Sequence, residues 1–300
     1  MSASFHLKIA CGLALCLLVQ GCGGPASDGH TTSGADTLAT DSANHPGVMK
    51  VGGRLFSLPS PVQTALLIRK LGLEYQQDLV VPTSKLDAMT TKNGKALAMG
   101  MYGADLAYLT MYKDGQRAVS TLQAIERLGN ALAVGNAFDQ PLMERFKNNL
   151  NNEDSLLLLG SAAYQAADRY LKSNERADIS ALVLAGGFIE SLYLSTASPG
   201  ALKDQNLANR IGEQKTTLAN LVGLLKDTGD QEGIAALTTQ LVELGDLFSG
   251  ITRTYEYAEP VTEEAEKTTY INSTSTVSIT GDQLKAIATK VSAIRNSILA

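Results

Sequence analysis

Residues 231–257 read Gln-Glu-Gly-Ile-Ala-Ala-Leu-Thr-Thr-Gln-Leu-Val-Glu-Leu-Gly-Asp-Leu-Phe-Ser-Gly-Ile-Thr-Arg-Thr-Tyr-Glu-Tyr. Within them Ile234, Leu237, Leu241, Leu244, Phe248, Ile251 and Tyr255 are spaced by alternating threes and fours. That spacing keeps one narrow apolar seam along a helix, as in coiled-coil-like bundles, and predicts a helix over 231–257. Leu207, Ile211, Gln214, Leu218, Leu221 and Leu225 step in the same way through a predicted helix over 201–226. Leu284, Ile287, Val291, Ile294 and Ile298 repeat it over 282–299. The connection near 227–233 is short, so the first two helices are expected to be antiparallel neighbours of about 38 Å each. The last helix is expected to complete a three-helix bundle. Gln214, the polar member of its seam, is expected to set register.

Upstream, apolar spacing near 3.6 predicts helices over 61–71, 92–113, 116–134, 141–150, 154–172 and 175–196. Ser60, Pro61 and Gln63 supply a cap, a first helical residue and a capping box for the first of these, and Gly72 a stop. The helices over 92–113 and 154–196 are apolar around much of their circumference. Ala96, Gly100, Ala104 and Tyr108 lie four apart, and Gly186-Gly187 interrupts another helix. A helical glycine costs about 1 kcal/mol relative to alanine, so glycines here imply a neighbour in close approach. Only residues 268–279, rich in Thr and Ser, alternate like a strand or strap, and a strand without a partner forms no sheet. The expected fold is all-α, a multi-helix bundle with hairpin-like C-terminal helices.

Composition narrows the chemistry. The chain has 300 residues, 44% hydrophobic and 18% charged, which suits a globular protein. A net charge of −5 argues against a nucleic-acid binder. The histidines are His6, His30 and His45, and the cysteines Cys11, Cys16 and Cys22, so residues 46–300 contain neither. Zinc sites of Cys and His, thiol nucleophiles and His-dependent triads are thereby excluded from that part. Asp227-Thr228-Gly229-Asp230-Gln231-Glu232-Gly233 lacks calcium-loop spacing and reads as a turn. Met99, Met101 and Met111 fall on more than one helix face and read as core. No catalytic residue, metal site or cofactor is expected.

Two acids stand in apolar helices. Asp105 has Met101, Tyr102, Tyr108 and Leu109 at helical distance, and Glu190 has Gly186, Gly187, Tyr193 and Leu194. A buried carboxylate has to be paired, hydrogen-bonded or protonated. The expected partner is an arginine, such as Arg127 or Arg145, or a helix N-terminus. A ligand-binding reading instead places a pocket among Asp105, Asp168 and Glu190, lined by Tyr102, Tyr164 and Tyr193. Two carboxylates suffice for glycoside hydrolysis, but such clefts are usually lined by Trp, and the chain has none.

The N-terminus carries an address. After Lys8, residues 9–19 form an uncharged run of eleven, too short to span a bilayer and of the length of a signal-peptide core. It ends in Val19-Gln20-Gly21-Cys22. This segment resembles the lipobox of bacterial lipoproteins, which implies cleavage between Gly21 and Cys22 and a covalent lipid on Cys22. Gly23 in place of Asp resembles the pattern of lipoproteins sorted to the outer membrane. Loss of Lys8 takes the formal charge from −5 to −6, so the acyl chains, not basic residues, would hold the membrane. Residues 22–53, poor in anything to bury, are expected to be a flexible tether of roughly 30 Å root-mean-square span. Asp36-Thr37-Leu38 and Asp41-Ser42-Ala43 within it resemble an O-glycosylation acceptor of some Gram-negative bacteria.

The expected organisation is therefore a signal peptide over 1–21, the lipidated tether over 22–53, a compact helical unit over 54–199, and a hairpin plus last helix over 200–300. Phe56-Ser57-Leu58-Pro59-Ser60-Pro61, Tyr102-Gly103-Ala104-Asp105-Leu106 and Ala185-Gly186-Gly187-Phe188-Ile189-Glu190 give the body, roughly 56–196, a likeness to uncharacterised helical lipoproteins of Gram-negative bacteria. That resemblance implies no activity. The expected function is a non-catalytic binding or scaffold lipoprotein of the cell envelope, outer-membrane-anchored and facing the periplasm, with a protein partner. The alternative is a small-ligand carrier or sensor using the interhelical pocket.

Overall fold

The computed structural model describes residues 48–51, 54–57, 61–134, 140–149, 152, 155, 158–159, 176–198, 200–228, 233–263 and 268–300. The described residues belong to one compact unit. Gly21, Cys22, Tyr164, Asp168 and most of the helix expected over 154–172 lie outside the described residues.

The chain is mostly helical. Strands β1 (Val48–Val51) and β2 (Arg54–Ser57) form an antiparallel hairpin whose first strand falls at the end of the stretch read as tether. Helix α1 (Pro61–Lys70) begins at the proline that suits a first helical position. Helices α2 (Lys92–Met111), α3 (Gly115–Ala131), α4 (Gln140–Asn148) and α5 (Ala177–Ala197) follow. The Thr91 and Asp114 side chains accept from the Gly94 and Arg117 N–H groups and so cap α2 and α3.

Between α1 and α2 the backbone makes two 3₁₀ turns, Gln77–Leu79 and Thr83–Ala88. Such a segment can lie on the core only if its polar groups find partners. Tyrosines supply some of them. The Tyr112 hydroxyl donates to the Leu73 carbonyl at 2.5 Å, the Gln76 N–H to the Tyr108 oxygen at 3.0 Å, and the Tyr75 hydroxyl to Asp114 at 2.6 Å.

The centre is the crossing of α2 and α5. A Cβ on Gly100 would lie 1.9 Å from the Val183 carbonyl oxygen, and one on Gly186 would lie 2.0 Å from the Leu97 carbonyl oxygen. The two backbones therefore touch, and each glycine serves the other helix. Helix α5 is long and apolar enough over Asp178–Ala197 to cross a membrane, but 83% of that window is buried inside the fold. Met99, Met101 and Met111 are core residues.

The C-terminal part differs from its sequence pattern in three places. The helix expected over 201–226 is broken into a 3₁₀ turn, α6 (Gln205–Gly212) and α7 (Gln214–Asp227). Asp204 caps α6 by accepting the Leu207 N–H, and Gly212 leaves room for Val277. Gln214 is buried and donates back to the Arg210 carbonyl at 2.8 Å across this break.

The helix expected over 231–257 stops early, as α8 (Ile234–Leu247). After Ser249-Gly250 the chain turns into strand β3 (Thr252–Glu256), so Tyr255 is an exposed strand residue and not part of a seam. Thr, Arg and Tyr in succession suit a strand better than a helix, and the 3,4 spacing ran on past the break by coincidence. The strand expected over 268–279 has partners after all. Strands β4 (Val261–Glu263), β5 (Thr268–Tyr270) and β6 (Thr274–Ser278) pair antiparallel, β3 with β6 and β4 with β5.

Helix α9 (Gly281–Leu299) starts in a capping box formed by Thr280 and Gln283. It packs on α8 and also on α5 and α2, so it closes the core of both halves rather than a separate bundle.

Candidate functional site

The two acids come together with an arginine from the far end of the chain. Asp105 is on α2, Glu190 on α5 and Arg295 on α9, with relative exposures of 0%, 0% and 7%. Arg295 Nε donates to both Glu190 oxygens, at 3.0 and 2.7 Å, and Nη2 donates to Oε1 at 2.8 Å. Nη2 also donates to the Leu79 carbonyl at 2.7 Å. The Arg295 guanidinium carbon stands 4.1 Å above the centre of the Tyr193 ring, a cation–π contact. The partner of Glu190 is an arginine, as expected, but neither of the two examples: Arg127 pairs with Asp87 at the surface, and Arg145 lies on α4. An arginine on a third helix reaches the acids because α9 packs across both α2 and α5.

Asp105 is held by one strong donor. The Val81 N–H gives to Oδ2 at 2.9 Å, while Oδ1 faces no donor among the described residues. Two adjacent carboxylates offer only acceptors, so a proton on Asp105 shared with Glu190 would satisfy both. Burial first, and then the Glu190 charge, hold Asp105 well above the usual carboxylate range. Burial raises Glu190 too, but the Arg295 bonds act against that rise. For Arg295 burial disfavours the charge, yet the Glu190 bonds outweigh it and keep the guanidinium above its ordinary value. With Asp105 protonated and the Glu190–Arg295 pair ionised, the cluster would carry no net charge.

Tyr102 donates to the Pro82 carbonyl at 3.1 Å and is 1% exposed. Burial, then the charges of Asp105, Glu190 and Asp87, push its hydroxyl up to about 12. Four of the expected site residues, Asp105, Glu190, Tyr102 and Tyr193, are thus in one neighbourhood, turned toward Arg295 and the backbone of residues 79–82. Arg295 escaped the sequence reading, although a signal existed. It lies four residues after Val291 on the α9 seam, where a charge is out of place unless another charge meets it.

An open groove of about 330 Å³ lies elsewhere, between α1 and the α6–α7 junction, lined by Gln63, Leu67, Asn206, Asn209, Arg210 and Glu213. Its polar groups are partly engaged: Arg210 pairs with Glu213 at 3.2 Å, and Gln205 donates to Asn209 at 2.8 Å. Among the described residues no three His, Cys, Asp or Glu side chains are placed to hold a metal ion.

A second feature is the ribbon of β3 to β6. Tyr255, Tyr257, Val261, Tyr270 and Ile271 are five of the seven large apolar side chains that stand exposed among the described residues. No protein-family model matches the chain, and neither does any curated protein or solved structure.

Proposed function

We propose that the chain is a lipid-anchored, periplasm-facing protein of the cell envelope that works by binding other proteins, as a scaffold or adaptor. One observation carries the reading: the uncharged eleven-residue run over 9–19 is followed by Gln20-Gly21-Cys22, and Cys22 is the last cysteine in the chain. Cleavage there leaves a single thiol, free of any disulfide framework, to carry acyl chains, and more than one chain anchors stably. The outer membrane is the proposed location, and Cys22-bound lipid the membrane contact.

Support for a binding body comes from the use made of its buried acids. Asp105 and Glu190 are engaged with Arg295 and with backbone, an arrangement that ties three helices together. The coiled-coil-like pairing proposed for α7 and α8 fits a body built for rigidity rather than for turnover.

Growth with an alkyne-tagged fatty acid should label the intact protein and leave Cys22→Ala unlabelled and soluble. Co-isolation after cross-linking should recover an envelope protein with the intact form and far less with Cys22→Ala. Equal fractionation of both forms, with no partner recovered from either, would sink the reading.

A further inference from the structure

The ribbon of β3 to β6 is an unfinished sheet. Among the described residues it has two strands at every level, and β3 is exposed at all five of its positions. Its partner β6 is rooted in the body: Val277 is buried against Gly212, and β6 packs on α6. The open side is therefore the outer edge of β3. Two-stranded ribbons are marginal in water, and a third strand supplies both the missing hydrogen bonds and cover for exposed side chains.

Those side chains are the wrong kind for an idle surface. Tyr255 and Tyr257 are 62% and 72% exposed, and Val261 stands directly opposite Tyr270, both of them exposed. Aromatic residues with an apolar body and a polar tip are enriched where proteins meet. The bend between the two ribbon segments is fixed by Ser273, which accepts from the Ala258 N–H and donates to the Ala258 carbonyl, both at 3.0 Å. The edge is therefore presented in a set shape.

Charge selects the occupant. Glu256, Glu259 and Glu263 are exposed along this edge and its continuation, and no cation pairs with them among the described residues. Among the described residues of β3 and β4 the cation is Arg253, which donates to Ser275 at 2.9 Å and offsets one of these three charges. A second copy of the chain would bring the same three glutamates against a single arginine, Arg253, so self-pairing leaves an excess of like charge along the joined edges. An anionic lipid surface is repelled for the same reason.

We infer that the β3 edge, continued through β4, receives an extended basic segment of a partner protein as an added strand, with Tyr255 and Tyr257 packing on its apolar positions. This rests on the binding role proposed above and names the surface that performs it. Acylation of Cys22 is read by a separate measurement, so failure of the edge and failure of the anchor are told apart.

The test uses the full chain, purified in detergent, as bait for a displayed library of random decapeptides. Selected peptides should carry at least two more Lys and Arg than Asp and Glu, alternate apolar residues, and lack a central Pro. A synthetic copy of one should slow amide exchange at Thr252–Glu256, and its Kd should weaken at least tenfold with Glu256→Lys/Glu259→Lys/Glu263→Lys. Tyr255→Ser/Tyr257→Ser should weaken it similarly while the melting temperature stays unchanged. Recovery of no peptide, of acidic peptides, or protection confined to the groove at Asn206 and Arg210 would overturn the inference. So would a dimer in sedimentation that protects the same edge without any peptide.

Discussion

Arg295 and Glu190 are joined by three N–H···O contacts although 105 positions separate them in the chain. The pair links α9 to α5, and the bond from Arg295 to Leu79 adds the connection before α2. Removing one member of such a pair strands the other charge in the core. Arg295→Leu should therefore cost about 3–5 kcal/mol of unfolding free energy. Glu190→Leu/Arg295→Leu should cost less than Arg295→Leu alone, because no charge is left unpaired. Urea titrations of the three proteins decide it, and a double variant less stable than Arg295→Leu would contradict the burial argument.

Asp105 makes the fold sensitive to alkali. Its carboxyl holds the proton to higher pH in the folded chain than in the unfolded chain, whose ordinary value is 3.8. The folded form thus binds more protons over the interval between those two values. This group's contribution is fully present at low pH and is lost as pH rises from about 4 toward the raised value, beyond which it levels off. Asp105→Asn mimics the protonated acid, accepting from Val81 and donating to Glu190. Urea midpoints from pH 5 to pH 9 should fall less steeply for Asp105→Asn than for the parent. Parallel slopes would mean that Asp105 does not hold a proton in the fold.

Much of this architecture was legible from spacing alone, and the failures share a cause. Helices α1, α2, α3, α5 and α9 begin within two residues of their expected starts, because caps, prolines and apolar periodicity act locally. The close approach implied by Gly100 and Gly186 is also present. What spacing could not show was long-range pairing. Thr252–Glu256 becomes a strand because Thr274–Ser278 lies beside it, and Gly212 is the residue that lets Val277 pack on its helix. The site followed the same rule. Asp105 and Glu190 were conspicuous as acids among apolar neighbours, but their cation sat on a helix whose path only the assembled core determines.

The crossing of α2 and α5 tolerates no side chain. Gly100→Ala or Gly186→Ala would press a methyl group within about 2 Å of a backbone oxygen, and backbone cannot swing aside as a flexible side chain can. Alanine's helix propensity returns about 1 kcal/mol, while overpacking costs about 3 kcal/mol or more. Each variant should lose about 2 kcal/mol or fail to fold. Gly115→Ala is the matching control, since nothing lies within 4 Å of its added methyl. Its stability should stay within about 0.5 kcal/mol of the parent. A Gly100→Ala protein as stable as Gly115→Ala would mean that the two helices stand further apart.

Gly212 and Val277 should prove energetically coupled, because one is the socket of the other. A Cβ on Gly212 would lie 2.3 Å from Val277 Cγ1 and 3.3 Å from Ile251 Cγ2. Gly212→Ala therefore has to push on β6, and β6 is what holds the exposed β3 in place. The side chain of Val277 can be shortened, unlike the backbone at the α2–α5 crossing. Gly212→Ala should accelerate amide exchange over Thr252–Glu256 and Thr274–Ser278 and cost about 1–3 kcal/mol. Val277→Ala removes the obstructing methyl groups, so Gly212→Ala/Val277→Ala should cost less than the sum of the two single changes by about 0.5 kcal/mol or more. Exchange measured by mass spectrometry, beside urea unfolding of all four proteins, reads both effects. Strict additivity would show that the ribbon is held to the body by other contacts than this one.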